Sequence, residues 1–333
     1  MTGGRAGERG SAGVLAVDSG GSGLRVVVGT IQGAVLGRRE SAGPVRTGAR
    51  GIDAGHFMER LVPLVRALLA DSGVSEVRAA AVGAAGLASL GDDLRAGLPA
   101  GLRAEFGVPA VALAADAVTA YTGALGARPG AVIAGGTGLI AVGTDLRRWR
   151  RADGWGHLLG DCGSGAWIGR AGLEAALRAH DGRPGGSAEL LARAEELFGA
   201  ASGIPGRLYP RTDRPAVLAS FAPQVGACAG SDAVAADILR AAARHMAGSA
   251  AAVCPAEGDP HVAVTGGLFN LGDPLLVPLE EELTRALPNA RRVAAAGDPL
   301  SGALRIAADL AAGTFTLPVD AAMLSVVTTK GCP

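Results

Sequence analysis

Two glycine-centred stretches carry the same pattern in different halves of the chain, VLAVDSGGSGLRVVVG at 14–29 and AVIAGGTGLIAVG at 131–143. Each is an apolar run, a short turn of Gly, Ser and Thr, and a second apolar run, which predicts a β-hairpin. Glycine lets the turn backbone approach a ligand closely, and successive N–H groups in such a turn form an anion-binding nest. The repetition predicts a nucleotide held in a cleft between two similar domains.

The rest of the chain alternates short apolar strands with amphipathic helices, which predicts an α/β fold. Helices are expected at about 56–70, 92–105, 117–126, 232–253 and 299–313. We predict a disordered tail at 1–11, an N-terminal domain at 12–122 plus 299–315, a C-terminal domain at 123–298 with a helical insertion near 183–231, and a tail at 316–333.

Composition excludes several classes of partner. The formal net charge is +0, which argues against nucleic acid and anionic membranes. Because the chain has no uninterrupted apolar run of 18 residues, no transmembrane helix is predicted. The first ten residues lack the apolar core of a signal peptide. The 4 cysteines are scattered without a C-x-x-C pair, which favours reduced thiols in the cytoplasm over a disulfide framework or zinc site.

The familiar nucleotide-binding signatures are absent, because the chain has no G-x-x-x-x-G-K-[ST] and neither turn matches G-x-G-x-x-G. Asp18 ends the first strand, directly before the turn. An acidic residue there can hold Mg²⁺ through water, while the turn N–H groups and the Ser22 hydroxyl meet a phosphate. The alternative is an ordinary hairpin in which Asp18 only caps, and the second hairpin favours the nucleotide interpretation.

Two further segments make the pattern specific, GWGHLLGDCGSGAWIG at 154–169 and VTGGL at 264–268. Together with the hairpins they resemble the acetate and sugar kinase/Hsp70/actin superfold over about 13–312, and within it the N-acetylglucosamine kinases of the BadF/BadG/BcrA/BcrD ATPase family. The resemblance implies two ribonuclease H-like (actin-like ATPase) domains with a nucleotide cleft, ATP and Mg²⁺ as cofactors, an amino sugar as substrate and a homodimer.

The resemblance also implies roles for single residues. Asp116, at a strand–helix junction, matches the catalytic base and also a sugar-contacting position, and Asp18 matches the magnesium-associated acid. Positions that match phosphate or adenosine contacts are Gly20, Gly21, Ser22, Gly136, Thr137, Gly138, Gly266 and Gly267. Positions that match the sugar-contacting stretch are Gly154, Trp155, Gly156 and Asp161. The alternatives are a helix N-cap for Asp116 and the binding of loop backbone donors for Asp161.

The chain departs from the family pattern at four places, one of them the strand at 82–90, which lacks an early Ser, and the other three involve single residues. Gly23 stands where the family commonly has Lys or Arg, and Arg25 is the nearest substitute. Cys162 replaces an acidic residue and is expected to be an inert buried thiol. Arg46 lies near an Asn that holds the sugar in the family, and arginine binds carboxylates in a bidentate manner. The hypothesis is that Arg46 binds an acidic group such as a muramic lactyl ether; the alternative is a solvated loop residue.

The sequence therefore predicts an ATP-dependent kinase that converts N-acetylglucosamine to its 6-phosphate. Asp116 would accept the proton of the attacking hydroxyl, because phosphoryl transfer requires positioning, charge neutralisation and a carboxylate base. The alternatives are a kinase for glucosamine or N-acetylmuramic acid, an ATPase activator with an iron–sulfur cluster, and a sugar-sensing protein of the same fold.

Overall fold

The computed structural model describes residues 11–328, which fall into two compact units. The first comprises residues 11–127, 146–149 and 296–328, and the second comprises 128–145 and 150–295. These divisions differ by a few residues from the predicted boundaries at 122 and 298. The predicted tail at 1–11 lies outside the described residues except for Ser11, which begins the first strand.

Within residues 11–328, the strands are β1 (Ser11–Gly20), β2 (Gly23–Thr30), β3 (Val35–Ala42), β4 (Thr47–Gly48), β5 (Gly51–Ile52), β6 (Val74–Ala84), β7 (Ala110–Ala115), β8 (Gly130–Gly135), β9 (Leu139–Thr144), β10 (Trp149–Asp153), β11 (His261–Thr265), β12 (Arg291–Arg292) and β13 (Leu324–Thr328). The α-helices are α1 (Ala54–Ser72), α2 (Leu87–Leu90), α3 (Asp92–Phe106), α4 (Asp116–Leu125), α5 (Gly165–His180), α6 (Ala188–Phe198), α7 (Ile204–Leu208), α8 (Arg214–Ala219), α9 (Ala222–Cys228), α10 (Ala233–Val253), α11 (Asp273–Ala286) and α12 (Pro299–Ala312).

The first unit is built on a six-stranded sheet in the order β13-β7-β6-β1-β2-β3. Strands β1, β6 and β7 are parallel, and β2 and β13 run antiparallel to their neighbours. Helix α1 buries Phe57, Leu61 and Val65 in the core on one face, while α4 and α12 pack on the other. Strand β13, which lies within the segment predicted as a tail at 316–333, pairs with β7 and completes the sheet.

The second unit repeats this plan with a five-stranded sheet in the order β10-β9-β8-β11-β12. Strand β9 is antiparallel to β8, whereas β11 is parallel to both β8 and β12. This order corresponds to β3-β2-β1-β6-β7 in the first unit. The two glycine hairpins, β1-β2 and β8-β9, therefore occupy equivalent positions in two sheets of the same topology. The region predicted as a helical insertion contains α6 to α9, whose apolar faces join the core of α5 and α10.

None of the helices among residues 11–328 has the length and apolar character needed to cross a membrane.

Candidate functional site

The first glycine turn joins β1 to β2 with a tip of two residues. Gly20 pairs with Gly23, which leaves Gly21 and Ser22 exposed at the tip. A Cβ atom at Gly20 or Gly21 would meet nothing within 4 Å. The N–H groups of Gly21 and Ser22 donate to no residue that the structure describes. The turn therefore presents two adjacent backbone donors on a bare surface, as an anion-binding nest requires.

The second turn has a longer tip, because Gly135 pairs with Leu139 and residues 136–138 lie outside the ladder. The Gly136 N–H donates to the Gly138 carbonyl at 2.9 Å, so this donor is used within the turn. The N–H groups of Thr137 and Gly138 donate to no residue in the range 11–328. The first amides of α5 support the turn from behind, since the Gly165 N–H donates to the Gly136 carbonyl at 2.9 Å.

The turn predicted to contact adenosine lies beside the second phosphate turn. Strand β11 is parallel to β8, so the two strands end at the same edge of the sheet. Gly266 has φ of 106°, and a Cβ there would lie 2.1 Å from the Gly135 carbonyl oxygen, so only glycine fits. Gly267 is exposed with open space around its Cα. The turns at 136–138 and 266–267, both predicted to contact the nucleotide, therefore lie side by side at one edge of the sheet of the second unit.

Asp18 and Asp116 lie at the carboxyl edge of the parallel strands of the first unit. The register pairs Asp18 with Gly83 and Gly83 with Ala114, and Asp116 follows the end of β7. Two strand spacings, about 10 Å, separate β1 from β7, and Asp116 lies two residues beyond the level of Asp18. Asp116 therefore lies level with Gly20, at the start of the first glycine turn.

Asp116 is the first residue of α4, with Ala115 as the N-cap, so it does not itself occupy the N-cap position. Its Oδ1 accepts the N–H of Ala117 at 2.9 Å, and the residue is half-buried. Helix α4 is held tightly against the sheet, because a Cβ at Gly83 would lie 2.7 Å from the Thr119 side chain. The candidate base therefore stands on a rigid strand–helix junction.

Asp161 is buried, and its carboxylate packs on the second glycine turn. A Cβ at Gly138 would lie 2.7 Å from Asp161 Oδ2, and Oδ1 accepts the Gly156 N–H at 3.1 Å. Burial raises the pKa of Asp161, and the Asp153 charge raises it further, while the N–H groups of Gly156 and Leu139 oppose the shift. The carboxylate thus organises the loop around the turn; its predicted sugar contact stays a prediction.

Asp153 is a further organising residue of this loop that the sequence analysis missed. Its Oδ1 accepts the Asp161 N–H, and its Oδ2 accepts the Cys162 N–H at 2.9 Å. The one available signal was an Asp directly before the first glycine of the 154–169 segment. The pKa of the Cys162 thiol is raised by burial and by the charges of Asp153 and Asp161, which disfavours the reactive thiolate.

The tip of the same loop is apolar and exposed. Trp155 is 64% exposed, between Gly154 and Gly156, which have φ of 74° and 84°. The guanidinium of Arg151 stacks on the Trp155 ring, 4.3 Å from its centroid. Trp155, which is itself predicted to contact the sugar, therefore carries the Arg151 guanidinium on one face of its ring.

Arg46 lies apart from these residues, on the loop before β4. Its N–H donates to His56 Nδ1 at 3.0 Å, and its carbonyl accepts the Asp53 N–H at 2.9 Å. The backbone is therefore pinned to the start of α1, while the side chain is exposed. The structure leaves both interpretations of Arg46 open.

The residues at the first turn fit a nucleotide-bound magnesium ion and not a metal site built wholly from protein. No cluster of three or more His, Cys, Asp or Glu that could hold a metal exists among residues 11–328. Asp18 offers one carboxylate oxygen, Oδ1, that accepts no hydrogen bond from the described chain. Mg²⁺ keeps several waters and takes one or two carboxylates besides phosphate oxygens, so a single acid beside a phosphate turn suffices.

Comparison with known proteins identifies the class. The structure of a candidate N-acetylglucosamine kinase from Chromobacterium violaceum matches with a TM-score of 0.68 and 26% identity, over 88% of this chain and 98% of that one. A ROK family glucokinase from Streptomyces griseus, solved with glucose and AMPPNP, matches with a TM-score of 0.55 and 23% identity, over 90% of this chain and 99% of that one. The fold is the actin-like ATPase fold of sugar kinases, as the sequence predicted.

The family follows from the sequence itself. The model of the BadF/BadG/BcrA/BcrD ATPase family matches residues 15–307, so the chain belongs to that family. An N-acetylmuramic acid/N-acetylglucosamine kinase from Clostridium acetobutylicum is 42% identical over 69 residues, which is 20% of this chain and 22% of that protein. The match thus spans about a fifth of the length of this curated relative.

Proposed function

We propose that the protein is an ATP-dependent amino-sugar kinase that transfers the γ-phosphoryl group to N-acetylglucosamine, giving the 6-phosphate. The observation that carries the proposal is the placement of Asp116 level with the first glycine turn, on the same sheet edge as Asp18. Membership of an ATPase family supports ATP as the donor. The relatives named for N-acetylglucosamine support an amino sugar as the acceptor.

In this proposal, separate groups of residues bind the phosphates, the nucleoside, the metal and the reacting hydroxyl. The N–H groups of Gly21, Ser22, Thr137 and Gly138 bind phosphate oxygens, and Gly266 and Gly267 give the nucleoside a flat backbone surface. Asp116 accepts the proton of the C6 hydroxyl as its oxygen attacks phosphorus, which forms the new O–P bond while ADP departs. Asp18 would hold hydrated Mg²⁺, which neutralises phosphate charge when bound.

The acceptor is tested with a panel of sugars: N-acetylglucosamine, glucosamine, N-acetylmuramic acid and glucose, with ATP and Mg²⁺, and ADP release as the measurement. The Asp116→Asn variant should lose about 10²- to 10⁴-fold in kcat, because a positioned general base contributes that much. Asp92→Asn is the matched control, since Asp92 also begins a helix of the same unit but its side chain is 97% exposed. Full activity of Asp116→Asn would overturn the base assignment.

A kinase for N-acetylmuramic acid is the second candidate, because the Clostridium acetobutylicum relative is named for that sugar acid as well as for N-acetylglucosamine, and the exposed Arg46 guanidinium would be the contact to its carboxylate. Arg46→Ala should then lower kcat/KM for N-acetylmuramic acid while kcat/KM for N-acetylglucosamine is unchanged. Equal values for wild type and Arg46→Ala with N-acetylmuramic acid would remove Arg46 from the site. The homodimer and the cytoplasmic location expected from the sequence stay predictions.

A further inference from the structure

Arg25 links two carboxylates that are far apart in the sequence. Its Nη2 and Nε donate to Asp18 Oδ2 at 2.5 and 3.0 Å, and its Nη1 donates to Asp298 Oδ2 at 3.2 Å. The Asp18 side chain is 12% exposed, so this ion pair is sheltered at its Asp18 end. Arg offers its donors in a fixed planar fork, so the two hydrogen bonds to Asp18 fix the orientation of the carboxylate relative to the guanidinium.

The fork engages only one oxygen of Asp18. Both hydrogen bonds from Arg25 end on Oδ2, and Oδ1 accepts none from residues 11–328. Asp18 therefore has one pinned oxygen and one open oxygen. A carboxylate fixed in this way presents a defined lone pair to a hydrated cation, in the manner that neighbouring groups orient the ligands of a metal.

The backbone explains why the basic group stands at position 25. Gly23 has φ of 141°, and a Cβ there would lie 2.1 Å from the Ser41 carbonyl oxygen on β3. No side chain fits at 23 while β2 pairs with β3 in this register. Residue 25 lies one strand repeat further on and directly opposite Asp18 in the β1/β2 ladder.

The far end of the link reaches the helix that carries the candidate base. Asp298 caps α12, where its Oδ1 accepts the Ser301 N–H at 2.8 Å. Helix α12 packs backbone to backbone on α4, since a Cβ at Gly123 would lie 2.1 Å from the Asp298 carbonyl oxygen and one at Gly302 would lie 1.9 Å from that of Thr119. Helix α4 begins at Asp116.

We propose that Arg25 is a positioning residue of the phosphoryl-transfer site. It holds Asp18 by one oxygen so that the other faces the nucleotide-bound metal, and through Asp298 it fixes the hairpin against the α12–α4 pair that carries Asp116. The assignment rests on the proposed kinase function. It predicts that loss of Arg25 weakens the contribution of the metal to nucleotide binding and not nucleotide binding in general.

The test measures ADP affinity by calorimetry, once with Mg²⁺ and once with EDTA, for wild type and for Arg25→Ala, Arg25→Lys, Asp298→Asn and Arg39→Ala. The ratio of the two affinities isolates the metal contribution. Arg25→Ala should lower the ratio about tenfold, as neighbours of metal ligands do when removed, and should raise the Mg²⁺ concentration for half-maximal rate. Arg25→Lys, which keeps the charge without the fork, should give an intermediate ratio.

The two remaining variants separate position from general stability. Asn also caps helices, so Asp298→Asn should keep the cap of α12, loosen Arg25 and lower the ratio less than Arg25→Ala. Arg39→Ala removes an ion pair with Asp71 elsewhere in the same unit and should leave the ratio unchanged. If Arg25→Ala folds and its affinity ratio equals that of wild type, the proposal is overturned. If Arg25→Ala does not fold, an unchanged ratio in both Arg25→Lys and Asp298→Asn overturns it instead. Absence of sugar turnover in wild type would instead refute the kinase function, and the ADP ratio would still decide the role of Arg25.

Discussion

The two glycine hairpins share a sequence pattern, a strand order and exposed N–H donors in the turn. They differ in which part of the chain provides the carboxylate beside the turn. At the first turn the carboxylate belongs to the hairpin itself, because Asp18 lies on β1, two residues before the end of the strand, and pairs with Arg25 across the ladder. At the second turn the carboxylate comes from Asp161, which lies on a distant loop and is held by backbone N–H groups. One acid is neutralised by a cation, and the other is buried without an ion pair among residues 11–328.

This difference fits a division of labour between the turns. A carboxylate with an open oxygen beside a cation can share a hydrated metal without a large net charge. A carboxylate that accepts backbone donors on both sides shapes a loop, and here that loop lies against the Thr137 turn. The two units therefore share one backbone hairpin, and the two hairpins differ in the charged side chains placed beside the turn.

The largest effect should come from filling the tight position of the first hairpin. Gly23→Ala forces a Cβ to within 2.1 Å of the Ser41 carbonyl at φ of 141°, which should destabilise the first unit by about 2–3 kcal/mol in chemical denaturation. Gly21→Ala is the matched control, because its Cβ meets nothing within 4 Å. It should keep its stability while ADP binds more weakly. Equal stability of the two variants would show that β3 does not set the shape of the turn.

A smaller effect is expected at the second hairpin. The Cβ of Gly138→Ala would lie 2.7 Å from Asp161 Oδ2, an atom at the end of a side chain that can move. We expect a loss of about 1 kcal/mol, together with a fall in kcat/KM for the sugar as the 154–161 loop shifts. Gly136→Ala, with open space around its Cβ, is the control for stability. If Gly138→Ala matched Gly136→Ala in both respects, Asp161 would not link turn and loop.

The smallest effect is an opposite pH dependence of stability in the two units. Burial alone would raise the pKa of Asp298, but the hydrogen bonds from Ser301 and the charge of Arg25 lower it below 3.8. Its contribution to stability is therefore present above 3.8 and is lost as pH falls through the lowered pKa. Burial raises the pKa of Asp161. Its contribution is therefore complete below 3.8 and is lost as pH rises through the raised pKa.

Urea unfolding at several pH values compares each Asn variant with wild type. The advantage of wild type over Asp298→Asn should stay constant from neutral pH down to the ordinary carboxyl pKa and shrink as pH falls below 3.8. The advantage of wild type over Asp161→Asn should shrink in the other direction, as pH rises from acid. Parallel pH trends for the two variants would contradict the contrast drawn between the hairpins.

Much of the frame could be read from local pattern. Apolar runs around 20–23 and 136–138 predicted both hairpins, because alternation and glycine turns are properties of neighbouring residues. The strand–helix junction at Asp116 was visible for the same reason. The strand β13 was not, because a short antiparallel edge strand after a long loop gives no local signal.

The site was readable only in part. Residue spacing identified the glycine turns and Asp116, but it did not identify Arg25 as the partner of Asp18. Residues 25 and 298 lie close together only in the folded structure, because β2 and the start of α12 are far apart in the sequence. Asp153 was missed because its work is to bind the N–H groups of residues 161 and 162, and backbone acceptors leave no trace in side-chain spacing.

The sequence by itself determined the repeated hairpins, the α/β class and the membership of the ATPase family, because these depend on residue types at short, fixed spacings. Only the tertiary structure decided which oxygen of Asp18 stays open, why position 23 must be glycine, and that Asp161 rests on the second turn. These depend on strand register and on the close approach of backbones, as at Gly23 and Gly123. Such contacts join residues that are adjacent in space and distant along the chain.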